Sequence, residues 1–290
     1  MPSSPSLSSS TAPTPDPLWV LESLLNSAYA KAKVWGVAYL ILQATLFVVG
    51  VVAIFVPRVS VSYPWCALPL ALVGVGITAR AGRYKGMAEQ LKRQHEYVAG
   101  LGHPPVKRIL ANLRMELPSE LAPKLDELLR EGITYSSDKP FGPIRVLENL
   151  CESAWFSQHL AGFCASCLRA IFVLTLSVAI VLLLLSAITL SGSPVGIGAA
   201  KCVSATLLFL ISVGTLRFWL SYHAFSRKSE QTESEASRLL AGSEPDLCDT
   251  QRLLAEYQLA RASAPLIPTW AWMLLRKRLN KNWALRTIRN

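Results

Sequence analysis

Residues 170–190, AIFVLTLSVAIVLLLLSAITL, decide the fold of this chain. The stretch is 21 residues long and contains no charge, proline or glycine. As an α-helix it would be about 32 Å long, which matches the ~30 Å hydrocarbon core of a bilayer. Because a helix on the surface of a soluble protein keeps one polar face, a stretch that is apolar all round predicts a transmembrane helix.

Three other apolar stretches predict three further spans. Residues 35–56 and about 62–79 are joined by a short turn at 57–63, and residues 191–194 join 170–190 to about 195–216. Such short links make each pair an antiparallel hairpin, so the hairpins occupy 35–79 and 170–216. The sequence therefore predicts an all-α, polytopic membrane protein with four transmembrane helices in two hairpins.

Two polar side chains lie within the predicted spans. Gln43 is the one strongly polar residue of the first span, and Lys201 lies near the outer edge of the fourth. A glutamine in a span can line a pore or hydrogen-bond a neighbouring helix, and we favour helix packing. Lys201 is expected to extend its amine to the interface. So few polar groups argue against an ion-coupled carrier.

The rest of the chain is divided by the two hairpins. Residues 1–17 are rich in serine, proline and threonine, which predicts a disordered tail. Residues 18–34 predict a juxtamembrane helix, 80–169 a helical middle segment and 217–290 a helical tail. Within these segments we expect helices at about 83–101, 106–116, 122–131, 143–164, 227–240, 249–262 and 271–289. The helix at 143–164 is expected to lead directly into the third span.

The distribution of basic residues predicts the orientation. Lysine and arginine are frequent in the middle segment and the tail, whereas the two short links carry only Arg58. Because basic residues that flank spans are retained in the cytoplasm, we expect both termini and the middle segment to be inside. The net charge of +10 fits this topology and contact with anionic lipid. We therefore expect the bilayer as a partner and no nucleic acid.

The sequence contains no catalytic pattern that we recognise. It lacks G-x-S-x-G, a P-loop, H-E-x-x-H and the Rossmann glycine fingerprint. Cys164 and Cys167 form a C-x-x-C where a helix enters the membrane, and there we favour apolar packing over redox or metal chemistry. The six cysteines are expected to stay reduced. We expect a non-enzymatic protein with no catalytic residue, no metal and no cofactor.

A polar loop before the third span is the candidate site for a signal. A serine- and lysine-containing loop followed by an arginine at a helix N-terminus suits a phosphate group, although simple turns have the same composition. The candidate signal-binding residues are Tyr135, Ser136, Ser137, Lys139 and Arg145.

The helix that follows this loop is the candidate element for transmission into the membrane. Glu148 and Glu152 are one turn apart and share a face. They could act as an acid/base pair or bind a cation, but we favour a solvated face on which they can pair with Arg145. A movement of residues 143–164 would pass through the junction at 163–169. The candidate transmission residues are Glu148, Glu152, Trp155, His159 and Arg169.

The last predicted helix, at 271–289, is basic and amphipathic. It could lie on an anionic leaflet or dock on the central cytoplasmic helices, and the sequence leaves both open. Its candidate membrane-surface residues are Trp272, Arg276, Lys277, Arg278, Lys281 and Trp283.

Two short motifs and the layout of residues 20–290 resemble a known family. The motifs are Tyr29-Ala30-Lys31-Ala32-Lys33 before the first span and Ala264-Pro265-Leu266-Ile267-Pro268 with Trp270 in the tail. The chain resembles the SMODS-associating four-transmembrane effectors and, more loosely, the two-transmembrane SLATT-type effectors, which are bacterial membrane proteins of nucleotide-signalling conflict systems.

The resemblance implies a multi-pass protein of the bacterial inner membrane with both termini in the cytoplasm. It further implies a homo-oligomeric effector that permeabilises this membrane during phage infection. Its trigger would be a cyclic nucleotide, a signalling partner protein or another cytoplasmic cue. Two alternatives stay open, namely a small transporter or channel and a membrane anchor that recruits a cytoplasmic partner.

Overall fold

Seven helices make up the described part of the chain. The computed structural model describes residues 17–103, 137–189, 193–242 and 244–287, and all regular structure in these ranges is helical, which confirms the prediction of an all-α protein. The predicted helices at 106–116 and 122–131, together with Tyr135 and Ser136, lie outside the described residues. In chain order the helices are α1 (Pro17–Phe55), α2 (Pro57–Leu101), α3 (Pro143–Thr189), α4 (Pro194–Ser212), α5 (Thr215–Leu240), α6 (Leu247–Ser263) and α7 (Thr269–Thr287).

Three of these helices are long and apolar enough to cross a membrane. They are Leu24–Phe55 in α1, Arg58–Leu101 in α2 and Pro143–Leu185 in α3. The 45 residues of α2 and the 47 of α3 correspond to about 70 Å, which is twice the thickness of a bilayer core. Each of the three helices therefore has an apolar half and a polar half that continues beyond it. Large apolar side chains are exposed on the apolar half, as is typical of residues that face lipid.

The link between the first two long helices is shorter than the sequence predicts. The predicted turn at 57–63 is wrong, because α2 begins at Pro57 and only Val56 separates it from α1. A proline suits the first position of a helix, where its missing N–H is not needed. The N–H groups of Val59 and Ser60 donate to the Val56 carbonyl at 3.0 and 3.1 Å. The chain therefore reverses direction at a single residue.

Continuity is the main property of the long helices. The sequence predicts separate helices at 18–34 and 35–56, whereas α1 is a single helix of 39 residues. The prediction that 143–164 leads directly into the third span is confirmed, because α3 begins at Pro143 and runs to Thr189 without a break. By contrast, the stretch predicted as a fourth span, 195–216, is divided, because α4 ends at Ser212 and α5 begins at Thr215, after Gly214, whose φ is 74°.

α1 and α2 form a closely packed antiparallel pair. Near the middle of the apolar half, a side chain at Gly74 would contact α1 at Gln43. The Tyr63 hydroxyl donates to the Leu46 carbonyl at 3.2 Å. At the other end of the apolar half, the Arg80 guanidinium lies 5.1 Å from the ring centre of Trp35, where the surface becomes polar.

The remaining helices are arranged around α3. The Ser226 hydroxyl of α5 donates to the Gln158 carbonyl of α3 at 2.9 Å, and the rings of Trp219 and Phe172 stack 6.4 Å apart. These contacts place α5 antiparallel to α3, along its polar half, and α6 and α7 pack beside them. We call the polar-side bundle the part formed by residues 17–34, 83–103, 137–164 and 222–287.

Candidate functional site

The polar-side bundle contains a cluster of buried charged and polar side chains where three helices meet. α2 contributes Glu89, Lys92 and Glu96, whose spacing of three and four residues places them on one face. α6 contributes Gln258 and Arg261 from successive turns, and α1 contributes Tyr29. We call these six residues the charge cluster.

Arg261 is the centre of the charge cluster. Its Nε donates to Glu89 Oε2 at 3.0 Å, and its two terminal nitrogens donate to the two oxygens of Glu96, Nη1 at 2.5 Å and Nη2 at 3.2 Å. The side chains of Arg261, Glu89 and Glu96 are only 12%, 6% and 8% exposed. The planar guanidinium thus bridges two carboxylates that lie about two turns apart on α2.

The other members of the cluster complete the hydrogen bonds of these carboxylates. The Tyr29 hydroxyl donates to Glu89 Oε1 at 2.7 Å, and Gln258 Nε2 donates to Glu96 Oε2 at 2.8 Å. Every carboxylate oxygen of the two glutamates therefore accepts at least one hydrogen bond. A buried ion pair is stable only when its remaining polar atoms are satisfied in this way.

The pKa values in the cluster are set by two opposing effects, burial of the charged groups and their attraction to neighbouring opposite charges. Burial alone would raise the pKa of Glu96, but the adjacent Arg261 and Lys92 outweigh it and hold this pKa below its ordinary value. Burial lowers the pKa of Lys92 to about 8, although Glu96 acts in the opposite direction. Burial and the charge of Glu89 raise the pKa of Tyr29 well above its usual range. The cluster thus sets two acidic side chains, Glu89 and Glu96, against two basic ones, Arg261 and Lys92.

A second set of contacts fixes the chain just beyond Arg261. Lys85 Nζ donates to the Ala262 carbonyl at 2.6 Å and also to the Ala264 carbonyl, which lies at the end of α6. Lys33 Nζ donates to the Thr269 hydroxyl, at the start of α7, at 3.1 Å. The two ends of the connection between α6 and α7 are therefore attached to α1 and α2 by amine donors.

A small cavity of about 10 Å³ adjoins the cluster. It is lined by Glu96, Asn149 and Ser153 together with three apolar residues. Asn149 Oδ1 is buried and has no hydrogen-bond partner within the described ranges. A cavity of this size holds one water molecule, which could donate to both Asn149 and Glu96.

The charge cluster is an internally paired network that joins α6 to α1 and α2. Its donors and acceptors are engaged with one another, and the adjoining cavity has room for a water molecule only. Among the described residues, no group of three or more histidine, cysteine, aspartate or glutamate side chains is placed to hold a metal ion. Removing one partner would leave an unpaired charge buried, at a cost of about 3–5 kcal/mol.

Comparisons with protein-family models, curated proteins and solved structures found no match to this chain. The resemblance to the four-transmembrane effectors stays a prediction.

The structure brings several of the predicted signal-binding residues together at the start of α3. The Ser137 hydroxyl donates to Glu148, and the backbone N–H of Lys139 donates to the Ser137 hydroxyl at 3.4 Å. Arg145 Nη1 donates to the Lys139 carbonyl at 2.9 Å, and its guanidinium lies 4.7 Å from the ring centre of Phe141. Glu148 thus pairs with Ser137 in this arrangement.

The predicted transmission residues lie at different depths along α3. Trp155 contacts His159, with ring centres 4.4 Å apart, and His159 Nδ1 lies 2.8 Å from the Trp155 carbonyl. Glu152 is half-buried, whereas Arg169 is exposed. Trp155 also contacts Trp283 of α7 at 5.3 Å, so this part of α3 is covered by the C-terminal helix.

α7 docks on α3 along one face. Leu275, Leu279 and Trp283 pack against Trp155 and Leu160. The candidate membrane-surface residues divide between two faces. Trp283 lies on the docked face and Trp272 packs on Phe156 at 5.9 Å, whereas the four basic residues Arg276, Lys277, Arg278 and Lys281 are exposed.

The two polar residues of the predicted spans have different environments. Gln43 is half-buried, and its Nε2 would lie 3.7 Å from a Cβ at Gly74. Its side chain therefore faces α2, as expected of a residue in helix packing. Lys201 is exposed.

None of the charge-cluster residues is among the candidate residues predicted from the sequence. Glu89, Lys92 and Glu96 share a helix face, but the same spacing is typical of a solvated helix. Arg261 is 165 residues from Glu96 along the chain. The sequence gives no signal for a pairing over that separation.

Proposed function

We propose that this protein is a non-enzymatic membrane effector of a bacterial antiphage system, which permeabilises the inner membrane when a cytoplasmic signal such as a cyclic nucleotide reaches it. The observation that supports this proposal is the continuity of α1, α2 and α3, each of which runs unbroken between the polar-side bundle and an apolar half. Rigid helices carry a displacement from one end to the other. A rearrangement of the bundle would therefore reach the membrane directly.

The proposal includes four spans in two hairpins, with the polar-side bundle and both termini in the cytoplasm. The polar halves of α1 and α2 contact each other through Tyr29 and Glu89, and α5 lies along the polar half of α3. If α3 crosses the membrane, the chain must cross again before α5. α4 suits that return, because its Phe209 stacks on Phe47 in the apolar half of α1 with ring centres 4.5 Å apart.

In this proposal α7 has two partners. Its apolar face holds it on α3, and its exposed side combines Trp270, Met273 and Leu274 with four basic residues. Trp270 lies 5.9 Å from Phe163, seven residues before the apolar part of α3. Basic and aromatic side chains at this height suit the headgroups of an anionic leaflet.

The loop at the start of α3 is the proposed entry point for the signal, and self-association of several copies is the proposed route to a pore. Lys139 and Arg145 supply positive charge beside the helix N-terminus, where a phosphate group is favoured. Large apolar side chains exposed along the apolar halves, such as Val48, Leu72 and Leu184, offer surfaces for contacts between copies as well as for lipid.

The proposal is tested by following membrane potential during infection. Cells that carry the gene with its native neighbouring genes are infected with phage in the presence of a potential-sensitive dye. We expect depolarisation before lysis, whereas cells with an early stop codon in this gene keep their potential until lysis. Unchanged potential and unimpaired growth would contradict the proposal. Capture of a cytoplasmic protein without any loss of potential would indicate the anchor function instead.

A further inference from the structure

The polar side of the molecule has two separate apolar cores. One lies between α1 and α2 and contains Leu21, Leu25 and Leu91. The other lies among α3, α5, α6 and α7 and includes Leu147 and Tyr257. Tyr97 and Leu101, near the end of α2, also pack against this second core. Apart from this end of α2, each core is built within its own group of helices, so on the polar side the α1–α2 pair and the remaining helices form two units.

The charge cluster and the two lysine contacts join these units. Arg261 of the second unit holds Glu89 and Glu96 of the first, and Lys85 and Lys33 bind the connection that follows α6. An apolar and backbone contact also exists near the end of α2. There the Gly142 N–H donates to the Gly100 carbonyl at 3.0 Å. The junction between the units thus has a polar part around Arg261 and an apolar part at the end of α2, where Tyr97 and Leu101 meet the second core.

A buried ion pair gives this junction the energetics of a two-state contact. Forming the pair recovers little net free energy, because the Coulomb attraction is largely offset by removing both charges from water. Leaving one charge buried without its partner is strongly unfavourable. The contact is therefore stable when complete or when fully hydrated and unfavourable in between, so a modest differential binding energy can shift it from one state to the other.

We propose that Arg261 is a latch that holds α6 and the start of α7 on the α1–α2 pair in the resting state, and that its release from Glu89 and Glu96 separates the two units during activation. The claim that the membrane stays intact while Arg261 is bound to the two glutamates rests on the function proposed above. The claim that the latch controls the separation of the units is independent of that function.

The latch is tested by measuring the separation of the units directly. Spin labels are attached at two exposed positions, Gln90 of α2 and Ala255 of α6, after the native cysteines are replaced, and the protein is reconstituted in nanodiscs. Arg261→Gln removes the charge that bridges the carboxylates. We expect it to raise the ratio of separated to closed molecules by about tenfold or more, which is the expected effect of losing charged hydrogen bonds.

Two further variants keep the measurement decisive. Glu96→Gln preserves the size of the side chain and removes one charge, so it should shift the distances in the same direction if Arg261→Gln does not fold. Lys228→Gln removes an exposed ion pair to Glu256, which is 2.8 Å long and lies within the second unit, and should leave the distances unchanged. Unchanged distances in both folded cluster variants, or an equal shift in Lys228→Gln, would overturn the latch.

Membrane potential separates the latch from the proposed function. In cells, Arg261→Gln and Glu96→Gln should depolarise the membrane without infection, whereas Lys228→Gln should not. Separated units with a normal membrane potential would keep the latch and contradict the effector function. Depolarisation with unchanged label distances would contradict the latch and keep the effector function.

Discussion

His95, next to the charge cluster, should make the stability of the protein depend markedly on pH. It is 4% exposed, and burial, with a further contribution from the charge of Lys92, lowers its pKa to about 4 although Glu96 opposes this. In the unfolded chain the pKa of a histidine is near 6.5. The unfolded state therefore takes up a proton between pH 6.5 and 4 while the folded state does not.

The sign of the effect follows from this difference in proton uptake. The free energy of unfolding should fall as the pH drops from 6.5 to 4, by roughly 3 kcal/mol from this residue. Thermal unfolding in detergent would be compared between the wild type and His95→Gln over this range. Glu96 also contributes less to stability as the pH falls, and it does so in both proteins. Only the difference between the two slopes of unfolding free energy against pH therefore reports on His95. Parallel curves for the two proteins would disprove the assignment.

At the same scale, Lys228 and Arg261 show that the contribution of an ion pair to stability depends on its environment. Lys228 pairs with Glu256 at the surface, where water screens both charges and the pair contributes about 0–1 kcal/mol. Arg261 pairs with two glutamates out of water. Nothing in the sequence separates these cases, because burial depends on which helices come together. The charge cluster could therefore not be predicted from residue types and spacing.

At the scale of elements, the unbroken passage of α3 from the bundle to the membrane is the feature to test. A Gly-Pro insertion within residues 163–169 would interrupt its backbone hydrogen bonds at a cost of about 3 kcal/mol or more. We expect the variant to enter the membrane at normal levels, as judged by fractionation, but to lose depolarisation during infection. Helix continuity, and not only anchoring, would then be needed for the response.

A matched insertion shows whether this effect belongs to the junction. The same two residues placed between Ala241 and Gly242 fall in the turn after α5, where no long helix is interrupted. This control should retain depolarisation. If the insertion at 163–169 retains full depolarisation as well, transmission through α3 is ruled out.

The sequence predicts the elements better than it predicts their limits. The all-α class and the passage of 143–164 into the third span follow from hydropathy, which reports the environment of each residue along one helix. The prediction of a turn at 57–63 is wrong because a proline such as Pro57 can either end a helix or begin one. The break at Gly214 is equally ambiguous, since glycine also occurs inside membrane helices.

At the scale of the whole molecule, the contacts of α5 constrain the number of crossings. α3 leaves the polar-side bundle and ends at Thr189, more than 30 residues beyond Gln158, which is a distance of about 45 Å along a helix. α5 nevertheless contacts Gln158 through Ser226. If α3 spans the bilayer, the residues between Thr189 and Ser226 must cross it in the opposite direction, and α4 is the apolar helix between them.

Labelling of single cysteines from outside the cell therefore tests the proposed topology. In a cysteine-free background, a membrane-impermeant thiol reagent should label Ser60→Cys, near the link between α1 and α2, in intact cells. It should label Asp138→Cys, before α3, and Gln231→Cys, on α5, only after permeabilisation, because basic residues that flank spans are generally retained in the cytoplasm. All three positions are exposed on the protein. Labelling of Gln231→Cys but not Asp138→Cys in intact cells would place α5 across the membrane from the start of α3. That result is incompatible with the hydrogen bond from Ser226 to Gln158, so it would refute the four-span arrangement and the bundle itself.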